Sequence, residues 1–297
     1  ESGWGGVAPE ERGAGGGRCR KMGRRAAQNL ILQAAACGDI AGILGVVRSQ
    51  GENLGAVSLA TAVHRLAKVL RSSRQLRGPQ REQGLAELRG PLLRVAGGGD
   101  FGPQAVANSL WALATLACED DEVLSGLTRA AKQQLPRFSS KHLSNVAWAL
   151  ATLSRSEDAL LPILSEELAT RAEELSPQGM SNVLWSHATL GAWHARLFES
   201  VGKAAVAEAK GFNAQDLSNT LWAFNVYPGR CTVHAPLLSA MAVAAERRAA
   251  KLPPQDLSSI AWAFAEAGQA QLQISSGPKR QGRRCRSAPC RTFERVD

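Results

Sequence analysis

The sequence contains none of the residue combinations that mark an enzyme. It has no nucleophile beside a base, no acid–base pair and no glycine-rich phosphate loop. Its five histidines lie in different segments, with no carboxylate or cysteine at ligand spacing beside them. We therefore expect a protein that is not an enzyme and that holds neither a cofactor nor a metal ion.

Other common features are missing as well. The six cysteines form no CxxC pair and no Cys/His cluster, which favours free thiols in a reducing compartment. No apolar run is long enough to span a bilayer, so we expect no membrane contact. No segment alternates apolar and polar residues in the way a half-buried strand does, so we expect no sheet.

Positive charge is scarce in the middle of the chain, although the net charge is +9. Residues 101–268 hold thirteen basic and sixteen acidic residues, a balance of −3. The basic residues lie mainly in 65–94 and at the two ends. Residues 1–29 (Gly/Arg-rich) and 271–297 (basic) have few large apolar residues, and we expect both to be disordered. Because the chain begins with Glu1, we also expect it to be a fragment whose true N-terminus is missing.

A periodic tryptophan is the most informative feature that is present. Trp111, Trp148, Trp185 and Trp222 are each 37 residues apart, and Trp262 follows after 40. Each lies in a similar phrase, such as FSSKHLSNVAWALATLS from residue 138. A fixed period in this range indicates stacked repeats, because one unit alone cannot bury its apolar face. We predict an all-α fold, an α-solenoid of paired antiparallel helices with a repeat of about 37 residues.

Each unit reads as two helices. In the first, the Trp helix, apolar residues recur at helical spacing around the tryptophan. A second apolar helix fills the rest of the unit. The predicted helix starts are Ser139, Ser176-Pro177, and Asn213 with Asp216 as its capping-box partner. The predicted helix ends are Gly191, Pro228-Gly229 and Gly268.

Residues 30–100 read as a degenerate first part of the same array, followed by regular repeats over 101–270. The run from Leu54 to Ala67 follows the template, with His64 in the tryptophan position and Thr61 in the asparagine position. Residues 39–47 form the helix before it. The step from His64 to Trp111 is 47 residues, so an excess of ten residues lies in the Arg-rich stretch 71–100.

One stripe of the Trp helix carries amides and an aromatic ring in place of Lys and Glu. On a helical projection it lies opposite the apolar arc. Trp can stack on a base, and Asn and Gln can hydrogen-bond to base edges, as binding of single-stranded RNA requires. The candidate RNA-binding residues here are Gln104, Asn108, Trp111, Lys141, His142, Asn145, Trp148, Gln178, Asn182, Trp185, Gln215, Asp216, Asn219, Trp222, Gln255 and Trp262. From the basic stretch we add Arg71, Arg74 and Arg77 as phosphate contacts.

The same pattern has a packing explanation. A tryptophan can lie across the groove to the neighbouring unit, and the asparagines can form a ladder between units. The position six residues before the tryptophan varies (Ala105, His142, Gly179, Asp216, Asp256), which suits either sequence-selective recognition or a solvent-exposed site without a role.

The phrase resembles the octatricopeptide and heptatricopeptide repeats of organellar RNA-binding proteins. It is also similar to the helical repeats of FAST-kinase-like and RAP-domain proteins and of kinetoplastid RNA-editing substrate-binding solenoids. The matching residues of one unit are Phe138, Leu143, Ser144, Asn145, Trp148, Ala149, Leu150 and Leu153. The match covers about residues 54–268, but 269–297 contain nothing like a RAP domain, and the unit around His64 lacks Trp and Asn.

The resemblance implies a helical solenoid in a mitochondrion or chloroplast. It would bind single-stranded RNA (organellar transcripts or rRNA) and assist RNA processing, stability, editing or translation, with other proteins of an RNA-processing complex as possible partners. The alternative is an armadillo- or HEAT-like scaffold that binds proteins or peptides. Armadillo units are longer, however, and their asparagine follows the tryptophan by four residues, whereas here it precedes it by three.

Overall fold

The protein is all-α. A computed structural model describes residues 23–50, 53–73, 78–98, 101–156, 158–227, 232–249 and 254–275, and these ranges contain thirteen α-helices and no strand. The helices are α1 (Arg24–Ala36), α2 (Ile40–Gln50), α3 (Ala56–Ser72), α4 (Pro79–Gly97), α5 (Pro103–Thr115), α6 (Asp121–Gln134), α7 (Ser140–Thr152), α8 (Leu160–Thr170), α9 (Pro177–Leu190), α10 (Ala195–Ala207), α11 (Ala214–Asn225), α12 (His234–Glu246) and α13 (Pro254–Ser275). Short 3₁₀ turns, Leu135–Arg137, Ala172–Glu174 and Ala209–Gly211, precede α7, α9 and α11.

The helices pack in two layers. Each odd-numbered helix contacts the next odd-numbered one from α1 to α13, and the even-numbered helices do the same from α2 to α12. Each odd-numbered helix up to α11 also packs on the even-numbered helix that follows it. We call the two sets the odd layer and the even layer. The odd layer contains all five Trp helices.

The core lies between the layers. On α5 the apolar arc of Val106, Leu110 and Leu113 is buried, and α5 packs on α6, where Leu124 and Leu127 are buried too. Fully burying a side chain of this kind contributes about 1.5–3 kcal/mol relative to leaving it exposed. The predicted apolar face of the Trp helix is therefore confirmed.

Three helices of the odd layer end in the same way. Ala117, Ser154 and Gly191 follow α5, α7 and α9 with positive φ angles of 48°, 56° and 68°. The N–H of the next residue donates to a carbonyl five residues back, as from Ala192 to His187 O at 2.9 Å, which makes a Schellman cap. The predicted end at Gly191 is confirmed, and Pro228-Gly229 lies outside the described residues.

The N-terminal boundary was predicted wrongly. Helix α1 begins at Arg24, whereas residues up to 29 were expected to be disordered. Its sequence is rich in alanine, a strong helix former, and it buries Ala27 and Ile31 against the rest of the protein. Ala34 and Ala35 pack partly buried against the same core, and these few apolar contacts are a weak signal in a Gly/Arg-rich context. The remaining residues of the two predicted disordered segments, 1–22 and 276–297, lie outside the described residues.

Nine residues of the ten-residue excess lengthen helices, because α3 and α4 have 17 and 19 residues where α5 and α6 have 13 and 14. One expectation near the C-terminus needs correction. Helix α13 does not end at Gly268 but continues to Ser275. A glycine within a helix costs only about 1 kcal/mol, and the Ala- and Gln-rich residues that follow favour continuation.

Candidate nucleic-acid interface

The N-terminal caps fix where the candidate polar residues lie on the odd layer. Ser139 Oγ accepts from the N–H of His142 at 3.3 Å, and Ser176 Oγ accepts from that of Gly179 at 3.1 Å. Asn213 and Asp216 form the predicted capping box, with hydrogen bonds of 2.9 and 3.2 Å. These caps start α7, α9 and α11 in the same register, so equivalent residues come side by side.

Most of the tryptophans are buried rather than displayed. Trp111, Trp148 and Trp222 are 2%, 8% and 6% exposed, and Trp185 is half-buried. The Trp111 ring lies 6.3 Å from the Trp148 ring and 5.0 Å from the ring of His64, centre to centre. His64 thus occupies a tryptophan position, as its place in the sequence suggested. This burial favours a role as wedges between neighbouring helices.

Trp262 differs because α13 is the last odd-layer helix that the structure describes. Its ring is 37% exposed, and Leu257 on the same helix is equally exposed. The equivalent residues of α11, Trp222 and Leu217, are buried. The most exposed of the five tryptophans is thus on the one Trp helix that has a described odd-layer neighbour on a single side.

The asparagines are buried in the same row. Asn145, Asn182 and Asn219 are buried, whereas Asn108 is half-buried. In α11 the Gln215 side-chain amide donates to Asn219 Oδ1 at 2.8 Å. The glutamine row is more accessible, with Gln104 and Gln255 exposed and Gln178 and Gln215 half-buried. The asparagine amides of α7, α9 and α11 are therefore enclosed between helices, whereas part of the glutamine row lies on an open face.

The variable position before each tryptophan lies at the helix N-terminus and is largely enclosed. Ala105 and Gly179 are buried, and His142 and Asp256 are half-buried. Asp216 is buried as well, and burial raises its pKa to about 6. Since its carboxylate already caps α11, Asp216 is placed as a structural residue in this unit.

His142 packs edge-on against Phe138, with ring centres 6.3 Å apart. Burial, and secondarily Lys141, lowers the pKa of His142, so the ring is neutral at pH 7. Among the described residues its buried Nδ1 has no hydrogen-bond partner. The imidazole is therefore able to accept or donate one further hydrogen bond.

A cleft opens between the N-terminal ends of α7 and α9. Its volume is about 320 Å³. It brings together four candidates from the sequence, Lys141, Asn145, Gln178 and Asn182. Residues that were not named as candidates also line it, namely Ser140, Ser144, Glu174, Leu175, Ser176 and Gly179.

Sequence reasoning missed those lining residues because most of them lie on turns and helix starts, and Ser144 lies on the flank of α7 beside the stripe. One available signal for the cleft was Gly179, because among the residues six positions before each tryptophan it alone has no side chain. A second was the Ser176 cap, which places the start of α9 beside that glycine.

Basic side chains of α3 converge on the tryptophan row. The guanidinium carbon of Arg71 lies 5.5 Å from the centre of the Trp111 ring, a cation–π distance. Burial, and then the nearby charges of Lys68, Arg65, Arg71 and Lys141, lower the pKa of His64 to about 4. The basic segment and the repeat face, which the sequence kept separate, meet at this point. Two candidates of that segment, Arg74 and Arg77, lie outside the described residues.

Charge is divided unequally between the layers. Helices α3, α5, α7, α9 and α11 contain four basic residues and one acidic residue, the buried Asp216. Helices α4, α6, α8 and α10 contain seven of each sign. Many of these acids are in ion pairs at the even layer, such as Glu122 with Arg89 at 2.6 Å and Glu166 with Arg196 at 2.6 Å. The positive excess of the odd layer therefore comes from its N-terminal helices, since α5, α7, α9 and α11 together hold one basic and one acidic residue and α13 adds Asp256 and Glu266.

Comparison of the sequence with known proteins does not assign it to a family. No model of a known protein family matches the sequence, and no curated protein matches it either. Within the described ranges, no helix combines the length and apolar character needed to cross a bilayer. In that same part of the chain, no group of three or more His, Cys, Asp or Glu residues is placed to hold a metal ion.

Proposed function

We propose that this is an RNA-binding helical-repeat protein and that single-stranded RNA lies along the odd layer. The two layers would then be an α-solenoid with a repeat of about 37 residues. The spacing of equivalent features supports this repeat. Helices α5, α7, α9 and α11 begin at Pro103, Ser140, Pro177 and Ala214, and the 3₁₀ turns begin at Leu135, Ala172 and Ala209.

The observation that carries the proposal is the cluster of cations around His64 in the odd layer. The central helices of that layer combine buried and half-buried amides with four cations, while their single acid is enclosed in a cap. Three of the cations, Arg65, Lys68 and Arg71, lie on one helix beside Trp111, and Lys141 reaches the same region from α7. A positive surface with neutral hydrogen-bonding groups beside it suits a phosphate backbone with unpaired bases.

A filter-binding assay with single-stranded RNA across a salt series tests the proposal. Each phosphate contact on a single strand contributes about 0.7 to the slope of log K against log salt. Replacing Arg65, Lys68 and Arg71 by Gln should therefore weaken binding and flatten the slope by about 2.

The matched control removes three exposed cations from the other side of the protein. Arg94→Gln, Arg129→Gln and Lys132→Gln change the net charge equally but lie on α4 and α6 of the even layer. This control should bind RNA with nearly the parental slope. Equal losses in the two triple variants would mean that RNA does not select the odd layer.

A peptide-binding scaffold is the second candidate, because a row of buried asparagines also suits the main chain of an extended peptide. The cations at α3 would then favour an acidic peptide. Binding of an acidic peptide in the same assay, with no binding of RNA, would favour this scaffold. The resemblance of the repeats adds the proposal that the protein acts in a mitochondrion or chloroplast on organellar RNA, which localisation of a tagged full-length protein would test.

A further inference from the structure

We propose that the cleft between α7 and α9 holds one nucleobase of the bound strand, which hydrogen-bonds to the amides of Asn145, Gln178 and Asn182. This inference rests on the proposed RNA-binding function and assigns one subsite within it. It predicts that affinity depends on a base at this place and not only on the phosphate backbone.

The dimensions of the cleft suit a single base. Its volume of about 320 Å³ is at the small end of the range for ligand pockets. Its walls are the first turns of two neighbouring odd-layer helices and the 3₁₀ turn Ala172–Glu174. A flat ring can enter between two such helix ends, as unpaired RNA bases do when they are splayed out of the strand.

Gly179 keeps the cleft open. A Cβ at this position would lie 3.4 Å from Leu175 Cδ2, 3.4 Å from Ser176 Oγ and 3.6 Å from Ser144 Oγ. The equivalent position in α7 carries the imidazole of His142, and that in α11 carries the carboxylate of Asp216. Since a longer side chain at residue 179 would extend into the space between the helices, the glycine is what makes room in this groove.

The lining suits a base better than a phosphate. Asn145 and Asn182 are 6% and 4% exposed, and both face the cleft. An amide offers donors and an acceptor together, as the edge of a base requires.

The cleft also continues into the basic surface. Lys141 lines the cleft and is at the same time one of the cations whose charge acts on His64. A strand whose phosphates lie beside Arg65, Lys68 and Arg71 can therefore reach the cleft along one face of the odd layer. This continuity distinguishes the cleft from an isolated surface depression.

The experiment fills the cleft and removes the base independently. Gly179→His adds a ring that the same position of α7 already accommodates, and Gly179→Ala is the matched small control. Each protein is titrated with a single-stranded RNA and with an oligomer of equal length whose riboses carry no bases. We expect Gly179→His to weaken binding of the RNA about tenfold or more, to leave the base-free oligomer unchanged and to keep the salt slope. Gly179→Ala should stay within about twofold of the parent.

Four results bear on the inference. A loss confined to the base-containing RNA supports it. Equal losses for both oligomers, or no loss for either, overturn the base site while leaving the RNA-binding function standing. If the parent protein binds neither oligomer, the proposed function itself fails, and the base site with it.

Folding of the filled variant is checked by its melting temperature. If Gly179→His melts far below the parent, Gly179→Asn takes its place, because an amide there adds no charge and its oxygen can accept from the Ser176 N–H, as Asp216 accepts from that of Asn213. The comparison between the two oligomers is unchanged, and the same outcomes apply.

Discussion

Replacing Trp111 by Ala should destabilise the protein by about 3–5 kcal/mol, the usual cost of truncating a fully buried tryptophan. The ring is 2% exposed and is held between the His64 and Trp148 rings at 5.0 and 6.3 Å. Removing it leaves a cavity between three odd-layer helices, and the Arg71 guanidinium loses the aromatic face beneath it. In thermal unfolding we expect the melting temperature to fall by about 10 °C.

Trp111→Phe separates the packing of the ring from its polar edge. Trp111 Nε1 is buried and has no hydrogen-bond partner among the described residues, and an unpaired buried donor costs about 1–3 kcal/mol. Phenylalanine keeps most of the ring and removes that donor. We therefore expect Trp111→Phe to lose no more than about 1–2 kcal/mol, well short of the loss for alanine.

Urea unfolding of the two variants measures these differences, with Trp262→Ala as the exposed control. Since the Trp262 ring is 37% exposed, its removal should cost no more than about 1–2 kcal/mol. The packing argument is wrong if Trp111→Ala unfolds at the parental urea concentration. A parental midpoint together with about tenfold weaker RNA binding would identify the ring as an accessible stacking platform instead.

Three further predictions concern stability. Asp216→Asn should stabilise the protein by about 1–3 kcal/mol at pH 7 and by almost nothing at pH 4. Burial raises the pKa of Asp216 in the folded protein to about 6, so the cost of burying its negative charge appears as pH rises from 3.8 through 6. The pH dependence due to His187 has the opposite sign. Burial lowers its pKa to about 4, so the stability of the protein is complete above pH 6.5 and falls by about 3 kcal/mol as pH drops to 4. His187→Gln should remove this loss from urea midpoints measured across the range. Ser154→Gly should raise the melting temperature, because glycine adopts the positive φ of 56° without strain. Gly191→Ala should lower the melting temperature by the equivalent of about 1 kcal/mol, and thermal unfolding of both variants measures these opposite changes.

Local signals in the sequence were enough for the helices and several of their ends. The caps at Ser139, Ser176 and Asn213 and the end at Gly191 were predicted and are confirmed. Ala117 and Ser154 end α5 and α7 in the same left-handed conformation, but neither residue type signals it. At those positions the packing of the helix, and not the residue, sets the backbone.

The candidate site was harder to predict, because a helical projection treats each helix alone. On a single helix the tryptophan lies opposite the apolar arc and looks exposed. In the protein the neighbouring odd-layer helices cover Trp111, Trp148 and Trp222, which a projection cannot show. The cleft beside Gly179 and the charge around His64 both arise between helices that are far apart in sequence, so they too required the structure.

Photo-crosslinking of a 4-thiouridine-containing single-stranded RNA, followed by mass spectrometric mapping, tests the central proposal most directly. The proposal predicts crosslinked peptides from α3, α5, α7 and α9, with the start of α9 around Gly179 among them. Crosslinks confined to α4, α6, α8 and α10, or RNA that neither binds nor crosslinks, would contradict an RNA-binding odd layer.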